Sequence, residues 1–388
     1  MLYYARSMHA TINRGRARSQ THWQRYCPRR AEKLAPALRA TSSIELTERA
    51  ESAAPSTADR HSVETRVVPI ALLGKHAKMA LAPGSTWSVL AIFRRSVYLR
   101  AAQGSVVCVG PLSLGAGPLN ILAPLPSGLS WRDLGVTPTA HVAWDGRTLR
   151  LDERLSFPVA QARLWRPVAP PADWNRVALS TGLDVLEAAW HLRAPMDGLA
   201  PMIPWLLTGR PSGVSVSGLN RALIEAAAPG IEVLRRWLAS GIRCGRTQTH
   251  PFRAVESLIG LGPGLTPSGD DLLGGVLIAL RALGWPQVAD TLGWWLLPRA
   301  RARTHAISYA HLASAAGGEG AAALHDTLAT LCSPGAPGLR ERADALTTLG
   351  HSSGWDAMAG MVLVATVAAA SRSPERPGHV ARPPCFSR

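Results

Sequence analysis

"GLGPGLTPSGDD", residues 260–271, stands directly ahead of the apolar run "LLGGVLIALRAL", residues 272–283, and its reading decides the architecture. A run of that length with no polar face reads as a helix buried at the centre of a helical layer. Ser268 with Asp271 three residues on has the spacing of a capping box, and Pro267 keeps the chain from entering the helix early. The adjacent Asp270 and Asp271 suit the positive end of the helix dipole. One glycine is enough to turn a chain into a helix, so Gly260, Gly262, Gly264 and Gly269 call for a second reason. Backbone that approaches a ligand closely, with amides exposed at the helix tip, supplies one. On this reading Asp271 caps and Asp270 faces the site, as a proton acceptor or as a ligand to a bridging Mg²⁺. No GK[ST] closes the loop, so it is not a nucleotide-binding Walker loop.

Helical periodicity extends on both sides of this stretch. Runs at residues 175–192, 219–241, 286–303, 304–316, 320–331, 339–349 and 354–370 complete a helical C-terminal domain over 172–371. The last of them is also apolar nearly all round, and "LGHSSGWDAMAG" at its start repeats the pattern of the first, with Ser352 or Ser353 as cap and His351 and Asp356 as titratable neighbours. His351 there could act as a general acid or donate to an anion. A nucleophile triad of His351, Ser352 and Asp356 is disfavoured because adjacent side chains diverge. Thr304, Ser308 and His311 fall on one helical face. No repeat of solenoid period is present.

Residues 67–171 read differently, as short β-prone runs broken by glycine and proline, which predicts a β-rich, small barrel-like domain and an α+β fold overall. Asp145-Gly146 predicts a tight primed hairpin turn. "GPLSLGAGPLN" adds a glycine-rich turn ending in Asn120, a weaker candidate for ligand contact.

The net charge is +16, but residues 1–40 alone carry nine Arg or Lys against one Glu, so half the excess lies in an extension without apolar periodicity. That distribution argues against a folded nucleic-acid surface. Residues 41–66 read as linker and 372–388 as a flexible tail. The apolar run 357–370 falls short of the roughly 18 to 20 residues that span a membrane. Five cysteines without a CxxC pair suggest neither a zinc site nor a disulfide framework, and fit a reducing cytoplasm.

Taken together, "GPLSLGAGPLNIL", "GLGPGLTPSGDDLLGGVLIAL", "THAISYAHLASAAGGE" and "LGHSSGWDAMAGMVLVA" resemble the AllH family, a subunit class of the oxamate carbamoyltransferase of anaerobic purine and allantoin breakdown. The resemblance covers about residues 67–371. It implies phosphorolysis of oxalurate to oxamate and carbamoyl phosphate, beside FdrA-like and YlbE-like partners, in a site taking a small anionic substrate and phosphate. Carried over residue by residue, it implies a site at Gly262, Gly264, Thr266, Ser268, Gly269, Asp270 and Asp271, then Thr304 and Ser308, then His351, Ser352, Ser353 and Gly354. Two alternatives stay open from the residues themselves: a metal-dependent hydrolase of small amides, and a non-catalytic anion-binding scaffold subunit.

Overall fold

The computed structural model describes residues 65–371, apart from Pro83, Ser127, Leu129 and residues 191–195, 211–215, 217 and 246–252. The arginine-rich extension, nearly all of the linker and the proline-rich tail lie outside the described residues. The N-terminal region is a curled ten-stranded sheet, a half-barrel, and the C-terminal region is helical. The expected α+β arrangement is therefore present, with the sheet left open at both edges.

The strands are β1 (Arg66–Val67), β2 (Leu72–Leu73), β3 (Trp87–Ile92), β4 (Val97–Ala101), β5 (Val106–Pro111), β6 (Asn120–Ala123), β7 (Val142–Trp144), β8 (Thr148–Leu151), β9 (Leu155–Pro158) and β10 (Arg163–Leu164). They lie in the order β1-β9-β8-β7-β3-β4-β5-β6-β2-β10. Alternation along β4, β5 and β6 sends Val97, Leu99, Val107, Val109, Ile121 and Ala123 into one apolar core. The opposite face carries a row set by register, because Tyr98 pairs with Cys108 and Cys108 with Asn120. β5 and β6 run parallel, so the intervening chain must cross back over the sheet. It does so through a 3₁₀ turn at Leu112–Leu114 and through Gly115 at φ +87°, which places Gly117 and Pro118 beside that row.

The β7–β8 hairpin forms at Asp145-Gly146, with Gly146 supplying the positive φ expected there, and the Asp145 carboxylate closes the turn by accepting from the amides of Arg147 and Thr148 at 2.9 and 2.7 Å. The short strands β1, β2, β9 and β10 and the helix α1 (Lys75–Ala80) escaped the sequence reading, since elements this short carry no periodicity.

The helical region contains α2 (Arg176–Trp190), α3 (Ile203–Thr208), α4 (Gly218–Cys244), α5 (Arg253–Glu256), α6 (Ser268–Ala282), α7 (Pro286–Arg303), α8 (Ala306–Ala316), α9 (Ala322–Leu331), α10 (Leu339–Ala345) and α11 (Ser353–Ala370). As their composition predicts, α6 and α11 sit at its centre. By length and composition α11 could cross a membrane, a stretch longer than the sequence reading allowed, yet 78% of it is buried inside the chain.

These two helices pack by direct backbone contact. A Cβ on Gly275 would fall under 3.0 Å from the carbonyl oxygen of Ala357, and one on Gly360 would fall under 3.0 Å from that of Leu272. The relation is reciprocal. "SGDDLLGG" (268–275) and "SGWDAMAG" (353–360) superpose position by position, so Gly275 matches Gly360 and Leu272 matches Ala357. Each contact swaps into the other, which is the mark of a local two-fold axis between α6 and α11. The match continues upstream. Gly269 packs on Leu258 and Leu261 as Gly354 packs on Leu346 and Leu349, while Gly262 and Gly350, both at positive φ, abut Ser268 and Ser353 respectively.

The sheet meets the helices along α1 and the β5–β6 connection. Lys75 Nζ lies 2.9 Å from Glu319 Oε1, Ser314 Oγ lies 2.7 Å from His76 Nδ1, and the Ala322 amide donates to Ala116 O at 2.8 Å. A cavity of about 210 Å³ remains between the two layers.

Candidate functional site

The cavity gathers residues from four places: Tyr98, Cys108 and Asn120 from the sheet row, Thr266, Asp270 and Asp271 from the start of α6, Ser308 and His311 from α8, and Ser353 and Gly354 from the start of α11. Asn120 keeps its place by donating from Nδ2 to Gly115 O at 2.8 Å. Tyr98 stands edge-on to His311, with its hydroxyl 3.4 Å from His311 Nε2.

The two adjacent aspartates have the reverse of the roles the sequence suggested. Asp270, 1% exposed, is a clasp. Its Oδ1 accepts the Gly260 amide at 2.8 Å, and its Oδ2 accepts the hydroxyls of Ser308, at 2.7 Å, and Thr304. It thereby ties the glycine turn to the start of α8, and its lone pairs are spent on the fold. Burial raises its pKa, against the pull of those three hydrogen bonds. Asp271 lines the cavity instead of capping the helix, and its Oδ2 is sealed from solvent without a partner. The helix has Pro267 at its N-cap, so no capping box forms and Ser268 already stands in the first turn. Consecutive residues on a helix point about 100° apart, which is why one aspartate can face inward and the other the cavity.

The two-fold relation extends to the carboxyls. The Ser268 hydroxyl lies by Asp356 and the Ser353 hydroxyl by Asp271, each lowering the pKa of that carboxyl. Ser353 Oγ also shares a hydrogen bond of 2.9 Å with Thr266 Oγ1. Asp356, 0% exposed, is further held by Ser352 and by the Leu199 amide, which donates to its Oδ1 at 2.6 Å. Asp271 and Asp356 are thus equivalent carboxyls in one repeated motif, and among the described residues only Asp356 is covered by a peptide segment.

Burial, then the charges of Asp356 and Asp270, hold the Asp271 carboxyl well above the usual carboxylate range, which favours its protonated form. Burial pushes Cys108 up to about 12 and pulls His311 down to about 4, leaving a thiol and a neutral imidazole. Burial likewise raises Tyr98 well above its ordinary value. Cys108 is therefore no thiolate nucleophile. The cavity wall presents mostly uncharged hydrogen-bonding groups beside the carboxyls of Asp270, Asp271 and Glu319, the last paired with Lys75, and among the described residues no Lys or Arg lines it.

That polarity corrects the expectation of free helix amides for an anion. The Gly269 amide donates to Leu261 O at 2.9 Å and those of Asp270 and Asp271 donate to Pro267 O; at α11, Gly354 donates to Leu349 O, and Trp355 and Asp356 to Ser352 O. The carbonyls of each preceding turn take the places that an anion would occupy. Gly264, at φ +90°, is exposed and faces open space. His351 lies outside the cavity: its side chain is 85% exposed and its Nε2 is 3.1 Å from Asp197 Oδ2. With His351 turned to Asp197 and Ser352 to Asp356, the three residues make no triad. Among the described residues no group of three or more His, Cys, Asp or Glu is disposed to hold a metal ion.

Sequence reasoning missed Tyr98, Cys108 and the role of Asp356. The first two come together only through strand register, for which no local pattern exists. The third had a signal in the shared "SG-x-D-x-x-x-G" of the two buried helices.

The coupled carboxyls predict a pH effect. Asp356 titrates at about 6 against an ordinary value of 3.8. Between those values the folded chain holds a proton that the unfolded chain releases, so the contribution of Asp356 to stability falls as pH rises through the window. At about 1.4 kcal/mol per unit, the fall reaches about 3 kcal/mol. His311 acts oppositely, since the unfolded chain binds a proton that the folded one refuses from about 4 up to 6.5. The aspartate is isolated by the difference between parent and Asp356→Asn, whose amide oxygen still accepts from Leu199. Urea titrations at pH 4 and pH 6.5 should show the variant gaining on the parent by about 2 to 3 kcal/mol; a pH-independent difference would show that Asp356 is not buried as a neutral acid.

Residues 258–365 match the family model described as oxamate carbamoyltransferase subunit AllH. The match takes in the whole two-fold motif, the Asp270 clasp and the helical wall of the cavity. It ends short of the sheet that supplies the opposite wall. No curated protein and no solved structure matches the chain.

Proposed function

From an AllH-like segment at residues 258–365, we propose that this chain is a subunit of an oxamate carbamoyltransferase-like enzyme that converts oxalurate and phosphate to oxamate and carbamoyl phosphate. It would do so in the cytoplasm, in purine or allantoin catabolism, assembled with FdrA-like and YlbE-like partners. The observation that carries the reading is Asp271: a carboxyl with a strongly raised pKa that lines a small cavity inside the matching segment.

In the reaction a phosphate oxygen bonds to the carbamoyl carbon, the bond from that carbon to the oxamate nitrogen breaks, and the departing nitrogen takes a proton. A carboxyl that holds its proton at neutral pH can supply it and recover one from the phosphate hydroxyl. With no cationic side chain in this cavity, the dianionic phosphate needs positive groups from elsewhere, and a partner subunit is their natural source. The chain would hold the carbamoyl-bearing half of the substrate and complete the pocket with its partners. The Asp270 clasp, Thr304 and Ser308 would then position Asp271 without touching substrate.

The test is co-expression with FdrA-like and YlbE-like subunits and measurement of carbamoyl phosphate. Formation should require both oxalurate and phosphate, and Asp271→Leu should lower turnover at least about 100-fold, the usual scale of general-acid loss. A complex in which Asp271→Leu turns over like the parent would remove Asp271 from the chemistry. One that acts on small amides without phosphate would favour a hydrolase.

A further inference from the structure

The two-fold motif contains its own model of a bound ligand. At Asp356 the Gly198–Leu199 peptide lies against the carboxylate: the Leu199 amide donates to Oδ1 at 2.6 Å, and Gly198, at φ +64°, passes so close that a Cβ would fall under 3.0 Å from both oxygens. Asp271 is the symmetry mate, with the same serine contact from the opposite motif. Among the described residues no segment covers it. The cavity lies there instead.

We infer that Asp271 receives the planar amide group of a small ligand, seated as the Gly198–Leu199 peptide is seated on Asp356, with a ligand N–H donating to the carboxyl oxygen that faces the cavity. Two further features fit an amide and oppose a carboxylate or phosphate in that position. Tyr98, Asn120 and the neutral His311 offer donors and acceptors without charge, and an anion beside the Asp270 and Glu319 carboxyls would meet repulsion, with no Lys or Arg among the described lining residues and Lys75 already paired with Glu319. In its protonated form the Asp271 carboxyl both donates and accepts, so it can pair with the N–H and C=O of one primary amide. Asp271 is in this sense a specificity-determining residue. The amide class follows from the geometry; the choice of oxamate as probe rests on the proposed reaction.

The test compares oxamate, oxalate and N,N-dimethyloxamate as ligands of the full chain, alone and in the assembled complex, by calorimetry and thermal shift. Oxalate replaces the amide by a carboxylate, and the dimethyl form lacks N–H. Oxamate should bind at least about tenfold more tightly than either, the scale of one hydrogen bond to a buried polar group. Asp271→Leu should remain folded and lose that preference. Equal binding of oxalate, retention of the oxamate preference in Asp271→Leu, or no binding of oxamate in either preparation would overturn the inference. The outcome separates from that of the proposed reaction: Asp271-dependent oxamate binding without turnover leaves the inference standing and removes the reaction. Turnover with no amide preference does the opposite.

Discussion

Gly275→Ala and Gly360→Ala are each expected to destabilise the fold severely. An alanine is the smallest possible change, and within a helix it should gain about 1 kcal/mol in propensity over glycine. Here the added methyl would fall under 3.0 Å from a backbone carbonyl of the facing helix, Ala357 O in one case and Leu272 O in the other. A backbone atom cannot swing aside as a side chain can, so α6 and α11 must separate along their buried length. Overpacking of this kind costs more than about 3 kcal/mol, well beyond the propensity gain and a large part of a net stability of roughly 5 to 15 kcal/mol. Because the contacts are reciprocal, the two variants should be equally damaged. Gly274→Ala one position away is the control, since a Cβ there meets nothing nearer than Ala315 Cβ at 3.7 Å. Circular dichroism melts of the three variants decide the matter. A folded Gly275→Ala with a melt near that of Gly274→Ala would contradict the close crossing.

Asp270→Ala is expected to be nearly as damaging, for a polar reason. The carboxylate is the common acceptor for the Gly260 amide and the hydroxyls of Thr304 and Ser308. Truncation orphans three buried donors together, at about 1 to 3 kcal/mol each, so a loss of about 3 kcal/mol or more should appear in denaturant titration. Asp270→Asn keeps one acceptor oxygen and should lose less, while turning an amide N–H toward donors that need an acceptor. Equal stability of Asp270→Ala and parent would mean that the clasp is not formed in solution.

How far the sequence reveals this molecule depends on the range of the interactions involved. The helices were legible because an apolar stripe is a local pattern; Pro286–Arg303 matches the run read from sequence residue for residue, and both all-apolar helices are central. The hydrogen-bonding face of the sheet was not legible, since Tyr98, Cys108 and Asn120 stand side by side only after three strands settle their register. Sequence marked the neighbourhood of Asp270 and Asp271 but assigned their roles the other way round, because the partners that hold Asp270, at Gly260, Thr304 and Ser308, are set by tertiary packing. The glycines had a local explanation after all. Gly262 and Gly269 let backbone pass close to backbone and to Ser268, within the protein and not against a ligand.

Thermal unfolding of Asp271→Leu tests most directly whether this carboxyl is kept for a ligand. Replacing a half-buried acid whose Oδ2 is sealed without a partner by an apolar side chain of similar size should leave the melting temperature unchanged or raised, in contrast to the fall expected for Asp270→Ala next door. A fall in Asp271→Leu as large as that in Asp270→Ala would mean that both aspartates serve the fold, and the cavity would lose its claim to be a binding site.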